Sequence, residues 1–391
     1  MKYNGIRGIG SDSRNSVLRD LHRDYLLNDG DSITPSKIYP NTMKRISYLD
    51  AAKAIGMYLV YYGHFIQKLY LAGSTSIFPE LKLIYSFHVP LFFFLAGIFW
   101  KPDCSHFWSA FINKFKTRIM PTIFFGIIAI PWFRFLDKFS IEAILARAMA
   151  YRLGQPELNW VTWFLICLFT LEMIIAVTSR VAPFTRKPKA LVYASLFFVI
   201  GWLLAGNAES IVLYTGVPKN FWFINEAFTA GGFYFLGYWA KDLLLKPTHR
   251  RLDGLGAVIT GLLLIATYNL NNGPFSDKHP IVLMNASSHG NYLLFVMTAL
   301  FGIAFIIFAT RCFAPKFFPV DFIAKNTLIY LGLNGLCLFF IDVKVIYKIG
   351  YFPTEPLFIN LYALGYVTII MMLFIPVTWL IKKYVPKWLV P

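Results

Sequence analysis

Histidine changes its protonation near neutral pH, and an imidazole beside a hydroxyl can take that proton as the oxygen attacks a carbonyl. Two histidines of this chain lie in apolar surroundings: His64, toward the end of RISYLDAAKAIGMYLVYYGH, and His88, in YSFHVPLFFFLAG. If the two runs are adjacent antiparallel helices, both imidazoles come to about the same depth, which is more specific than either alone. Singly, each is equally an imidazole hydrogen-bonded inside a bundle. Pro90 frees a backbone carbonyl that would give this depth a polar lining; a kink capped by His88 is the plainer alternative.

Charged side chains gather away from the histidines. Arg45, Asp50 and Lys53 occupy the other end of the His64 segment. Asp50 and His64 would be separated by roughly 21 Å along a helix, so they mark two ends of one path. The segment FINKFKTRIMP places Lys114, Lys116 and Arg118 just before Pro121. Such a cluster binds lipid headgroups or, beside Arg45 and Lys53, a phosphorylated cofactor; Arg45, Asp50 and Lys53 also fit ordinary interfacial anchors. Glu172, in WVTWFLICLFTLEMI, is placed to neutralise one of these cations, and Glu226 to orient a histidine or bind a sugar hydroxyl.

The elements that carry these groups follow from composition. Of 391 residues 57% are apolar and only 15% charged, against about 25% charged in a soluble domain, so the solvent is a lipid bilayer. Apolar runs long enough to cross about 30 Å of hydrocarbon fall at 48–68, 84–100, 119–136, 160–178, 190–206, 222–240, 254–270, 291–310, 326–341 and 357–381. The expected fold is an all-α polytopic membrane protein of about ten transmembrane helices. Residues 1–44 read as a polar cytoplasmic tail without the apolar core of a signal peptide, 45–384 as the membrane domain and 385–391 as a short cytoplasmic end. With the tail inside, 26 of the 37 Lys and Arg lie in cytoplasmic segments and 10 in outer ones, which puts both termini in the cytoplasm. The outer loop 134–159 is the exception in charge and is long enough for an amphipathic surface helix.

Several function classes lose support. The net charge of +17 comes without a nucleic-acid-binding motif, and the aromatics sit inside apolar runs. Cys104, Cys167, Cys312 and Cys337 show neither CxxC nor Cys/His metal spacing. GxSxG, Walker A and HExxH are missing. His106 and His249, and His279 and His289 in an Asn-, Gly- and Ser-rich outer loop, read as solvated loop histidines, and Asn269 to Gly273 as a turn. A secondary transporter would also hold buried charges and helix-breaking prolines, but the two halves of the chain show no repeat; a polysaccharide exporter without acyl chemistry is the other alternative.

RISYLDAAKAIGMYLVYYGH, YSFHVPLFFFLAGIF, the basic segment ending at Pro121, and WFLICLF together resemble integral-membrane acyltransferase family 3, bacterial O-acyltransferases of surface sugars. GGFYFLGYWAK and IAKNTLIYLGLNG look like its later helices. The resemblance implies transfer of an acyl group, usually acetyl, from cytoplasmic acyl-CoA to a glycan hydroxyl, in the bacterial inner membrane. Acetyl-CoA would be a substrate rather than a permanently bound cofactor. The partners would be a glycan or lipid-linked sugar, membrane lipids and polysaccharide biosynthesis proteins, with no nucleic acid. It maps the family's essential first-helix histidine onto His64, its early Arg and Asp onto Arg45 and Asp50, its FHxP histidine onto His88, and, loosely, its basic pair onto Lys116 and Arg118 with Lys114. Where many relatives carry a ninth-helix His, this chain has Asn334. A pantetheine arm of roughly 15–20 Å matches the rise of ten to thirteen helical residues, close to the Lys53–His64 spacing. On that expectation Arg45, Lys53, Lys114, Lys116 and Arg118 hold the phosphates, His64 is general base, and His88 stabilises the oxyanion or positions the sugar.

Overall fold

A computed structural model describes residues 46–101, 107–135, 138–179, 187–216, 218–246, 249–275, 280–313, 317–349, 355–387 and 389–390. Arg45, the 1–44 tail, Cys104, His106 and His279 lie outside them. The described residues belong to one compact unit.

Its helices are α1 Ser47–Leu71, α2 Phe78–Tyr85, α3 His88–Phe99, α4 Phe107–Lys114, α5 Met120–Phe135, α6 Ile141–Met149, α7 Trp163–Thr178, α8 Lys187–Gly206 and α9 Ala208–Thr215. They continue as α10 Ile224–Leu245, α11 Arg250–Thr267, α12 Tyr292–Phe313, α13 Phe318–Lys325, α14 Thr327–Leu336, α15 Asp342–Ile349 and α16 Pro356–Tyr384. Among the described residues the sole β feature is an isolated bridge between Leu283 and Ser288.

Among the described residues, six helical stretches are long and apolar enough to cross a membrane: Thr75–Phe99, Phe107–Phe135, Trp160–Thr178, Lys189–Gly206, Tyr292–Phe313 and Pro356–Tyr384. The first, sixth and seventh expected spans form helices of 25, 22 and 18 residues that do not reach that apolarity. Each also buries a carboxylate in the bundle: Asp50, Glu226 and Asp253. The ninth expected span is divided, with the short apolar α14 followed by a π-helical turn, Cys337–Ile341, and α15.

The outer faces are built for lipid. Leu191, Val192, Val199 and Trp202 of α8, Leu255, Val258 and Leu262 of α11, and Leu357, Leu361, Ile369 and Leu373 of α16 are exposed. That much apolar surface facing water would cost about 25 cal/mol per Å², whereas acyl chains accept it. Inside, helices approach through small residues. A Cβ on Gly97 would collide with the Tyr234 carbonyl oxygen, and one on Gly237 with that of Phe94, so α3 and α10 touch backbone to backbone. α6 supplies the expected amphipathic helix of the 134–159 segment. Ser140 caps it by accepting from Ala143 N at 3.2 Å, and Ile141, Leu145 and Met149 form one exposed stripe.

Two local expectations need correction. The kink of the second span lies at Ser86–Phe87, ahead of Pro90, which sits in the first turn of α3 where its missing N–H is cheap. The basic segment is not an approach to a helix but part of one. Lys116 and Arg118 lie in a π-helical turn, Phe115–Ile119, that joins α4 to α5 in a 29-residue helical stretch.

Candidate functional site

The position of His64 is set by how α14 lies against α1. The Tyr61 hydroxyl donates to the Tyr330 carbonyl at 2.6 Å, and the Tyr330 hydroxyl to the Met371 carbonyl of α16 at 3.0 Å. One turn further along both helices, His64 Nδ1 meets Asn334 Oδ1 at 2.6 Å. An amide oxygen can only accept, so Nδ1 carries the proton and Nε2 keeps a free lone pair. Asn334 is itself buried and held by its surroundings. Asn159 donates through Nδ2 to the Gly332 carbonyl at 2.9 Å, and Gly335 leaves room for the Asn159 side chain, where a Cβ would collide.

His88 is fixed by its own helix break. Its Nδ1 lies 2.8 Å from the Ile84 carbonyl, which also accepts from Phe87 N at 3.2 Å where the helix breaks. A backbone carbonyl only accepts, so Nε2 of His88 is again the free nitrogen. The Tyr85 ring stands between the two imidazoles, 4.8 Å from His88 and 6.5 Å from His64 between centroids, and its hydroxyl donates to Gln67 Oε1 at 2.8 Å. The histidines do not pair with each other. Instead both line one cavity of about 230 Å³, together with Arg118, Trp163, Phe164 and Thr327.

Arg118 brings the basic cluster to this cavity. Its Nε and Nη2 each lie 3.2 Å from a different oxygen of Glu172, a bidentate pair, and Lys114 Nζ reaches Glu172 Oε1 at 2.7 Å. Glu172 is buried and neutralises one of two cations, so the trio keeps one positive charge. Lys116 projects outward and is exposed. Lys53 pairs with Asp50 at 3.4 Å and lies 4.0 Å over the Phe99 ring.

Glu226 orients no histidine. Its carboxylate is fully buried at the start of α10, and Oε1 accepts from the Ser287 hydroxyl at 2.8 Å. His289, two residues on, is not a solvated loop residue: it is 3% exposed and packs against Phe295 and Tyr292, with ring centroids at 4.9 and 5.2 Å. Asn269 and Asn272, read as part of a turn, accept from Lys82 Nζ at 3.1 and 2.9 Å. Among the described residues no group of three or more His, Cys, Asp or Glu could hold a metal ion.

The sequence model of the family's acyltransferase domain matches residues 46–383, nearly the whole described unit. The chain belongs to integral-membrane acyltransferase family 3. Searches of curated proteins and of solved structures returned no match. In this acyltransferase the histidines named from sequence share a cavity, and Arg118 and Lys114 share Glu172. Asn334, named only as a departure from relatives, turns out to be the partner of His64. A hint was present: a lone amide in the apolar run TLIYLGLNGL needs a hydrogen-bonding partner when buried.

Proposed function

We propose that this membrane acyltransferase moves an acetyl group from acetyl-CoA to a hydroxyl of a surface or exported glycan or its lipid-linked precursor. The ten-span arrangement with both termini cytoplasmic, in a bacterial inner membrane, belongs to the same reading and rests on the distribution of Lys and Arg. The observation that carries the chemistry is the cavity shared by His64, His88 and Arg118, with His64 held by Asn334.

In this mechanism the acceptor hydroxyl gives its proton to His64 Nε2 as its oxygen attacks the thioester carbonyl. Positive charge grows on the imidazole, and the amide oxygen of Asn334 stabilises the Nδ1–H that bears part of it. The free Nε2 of His88 faces the same space and accepts from a sugar hydroxyl, which positions the acceptor, while the residual positive charge of the Arg118 trio favours the negative charge on the tetrahedral oxygen. The attack forms the ester C–O bond, collapse of the tetrahedral intermediate re-forms the carbonyl and breaks the C–S bond, and the proton passes from His64 to the departing thiolate. The cavity takes the reacting ends of the substrates, not a whole coenzyme. The phosphates stay at the basic side, with Lys114, Lys116, Lys53 and Arg45 as counter-charges. Because Glu172 occupies the fork of Arg118, that residue supplies field more than direct phosphate contacts.

Membranes with and without the protein, supplied with acetyl-CoA labelled in the acetyl group and the host's glycan, test the reading. Label in the glycan only when the protein is present supports it. Label that never leaves CoA for sugar refutes it.

A further inference from the structure

A second cavity, of about 1260 Å³, opens beside α8, lined by Phe198, Trp202, Glu209, Lys219, Ser287 and His289. Its size exceeds the ~300–1,000 Å³ of ordinary small-molecule clefts. Two of its walls differ in kind. The α8 wall is apolar, and Val199 and Trp202 on it are exposed on the side where the bundle meets lipid. The opposite wall is the 286–291 loop, and it carries buried polar atoms without partners.

Both ring nitrogens of His289 lack a hydrogen-bond partner although the residue is buried, and so does Glu226 Oε2 behind Ser287. Leaving such groups unpaired costs about 1–3 kcal/mol each. The loop is nonetheless built to hold them there. Asn271 is buried, donates through Nδ2 to the His289 carbonyl at 2.8 Å and accepts from Asn291 N at 2.9 Å. Ser287 and Gly290 take positive φ, 52° and 65°, and a Cβ at Gly290 would strike Asn271. Burial holds His289 down to about 3, so its ring is neutral and offers one N–H donor and one acceptor. A hydroxyl, which both donates and accepts, complements that ring; an anion or a cation complements only half of it. The Ser287 oxygen, already donating its proton to Glu226, has lone pairs left for a second hydroxyl.

We propose that this groove, which shares no lining residue with the His64 cavity, holds sugar units of the acceptor glycan other than the one acylated, their hydroxyls hydrogen-bonding His289 and Ser287. The inference rests on the sugar-acylating function proposed above and adds where the rest of the acceptor is held. The apolar α8 wall lets a sugar on a lipid carrier enter from the membrane, and the open side admits a water-borne glycan.

The test is labelled acetyl transfer in membranes at saturating acetyl-CoA, with acceptor concentration varied and the lipid-extracted and water-soluble glycan fractions run as separate acceptors. His289→Phe keeps the packing on Phe295 and removes both nitrogens. It should raise the acceptor KM about tenfold, for whichever fraction is the substrate, with the acetyl-CoA KM unchanged. His289→Gln should recover part of the loss, and Ser287→Ala should raise the acceptor KM less. An acceptor KM at the wild-type value in His289→Phe overturns the site, as does a fall in kcat with both KM values unchanged. Equal losses toward donor and acceptor that His289→Gln does not relieve mean a structural histidine and also overturn it. If wild-type membranes transfer no label to either fraction, the acylating function itself fails, an outcome separate from an unresponsive His289.

Discussion

Removing the amide of Asn334 should expose how much of the chemistry depends on a fixed imidazole. In Asn334→Ala the 2.6 Å contact to His64 is lost, and Nδ1 no longer has a partner that dictates which nitrogen carries the proton. A hydrogen bond to a group that becomes charged is worth about 1.5–3 kcal/mol, and it is strongest when His64 is imidazolium, in the transition state. Each 1.36 kcal/mol is tenfold in rate, so kcat should fall about 10- to 150-fold. The acetyl-CoA KM should hold, because the basic trio around Glu172 is on other helices. The assay is initial-rate transfer of labelled acetyl in membranes, normalised to protein amount, with Asn334→Gln and Asn334→His as companions. A carboxamide at another reach should restore little, whereas a histidine can present a ring nitrogen. A kcat within twofold of wild type in a well-folded Asn334→Ala protein would refute the reasoning.

Other outcomes follow from the same geometry. Gly97→Ala should lower the yield of folded protein in detergent size-exclusion profiles, since the added methyl forces apart backbones in contact and overpacking costs about 1–3 kcal/mol; an unchanged profile would show that α3 and α10 separate freely. Arg118→Glu sets two carboxylates against each other beside the cavity and should raise the acetyl-CoA KM more than the acceptor KM; equal loss toward both substrates would mean a folding defect. His289 is neutral when folded down to about pH 3, by burial and then by the charge of Lys219, while in the unfolded chain it protonates below about 6.5. The unfolded state therefore binds more protons across that window, and stability falls as pH drops, by about 2 kcal/mol at pH 5. Thermal melts at pH 5 and 7 should differ less in His289→Phe than in wild type, and an equal difference would contradict the assignment.

What the sequence revealed depends on whether the signal was local. The helices are local, since runs such as YLLFVMTALFGIAFIIF have no soluble alternative. The common depth of His64 and His88 was legible because about twenty residues join them and the chain must turn back. The pairing that Arg118 makes from its π-helical turn was not, because Glu172 lies on another helix. Asn334 lies 270 positions from His64, and no periodicity links an amide in one apolar run to an imidazole in another. His289 was misread for a related reason: its neighbours in sequence are Ser, Gly and Asn, which suggest water, whereas its neighbours in space are Phe295, Tyr292 and the buried Asn271.

The central claim is that His64 takes the proton of the acceptor, and His64→Ala tests it most directly. The measurement is acetyl transfer from labelled acetyl-CoA to the host's glycan by wild-type and variant membranes with equal amounts of inserted protein. Loss of transfer, with the detergent melting profile and acetyl-CoA binding retained, is the predicted result. A His64→Ala protein that transfers acetyl at the wild-type rate would contradict the account.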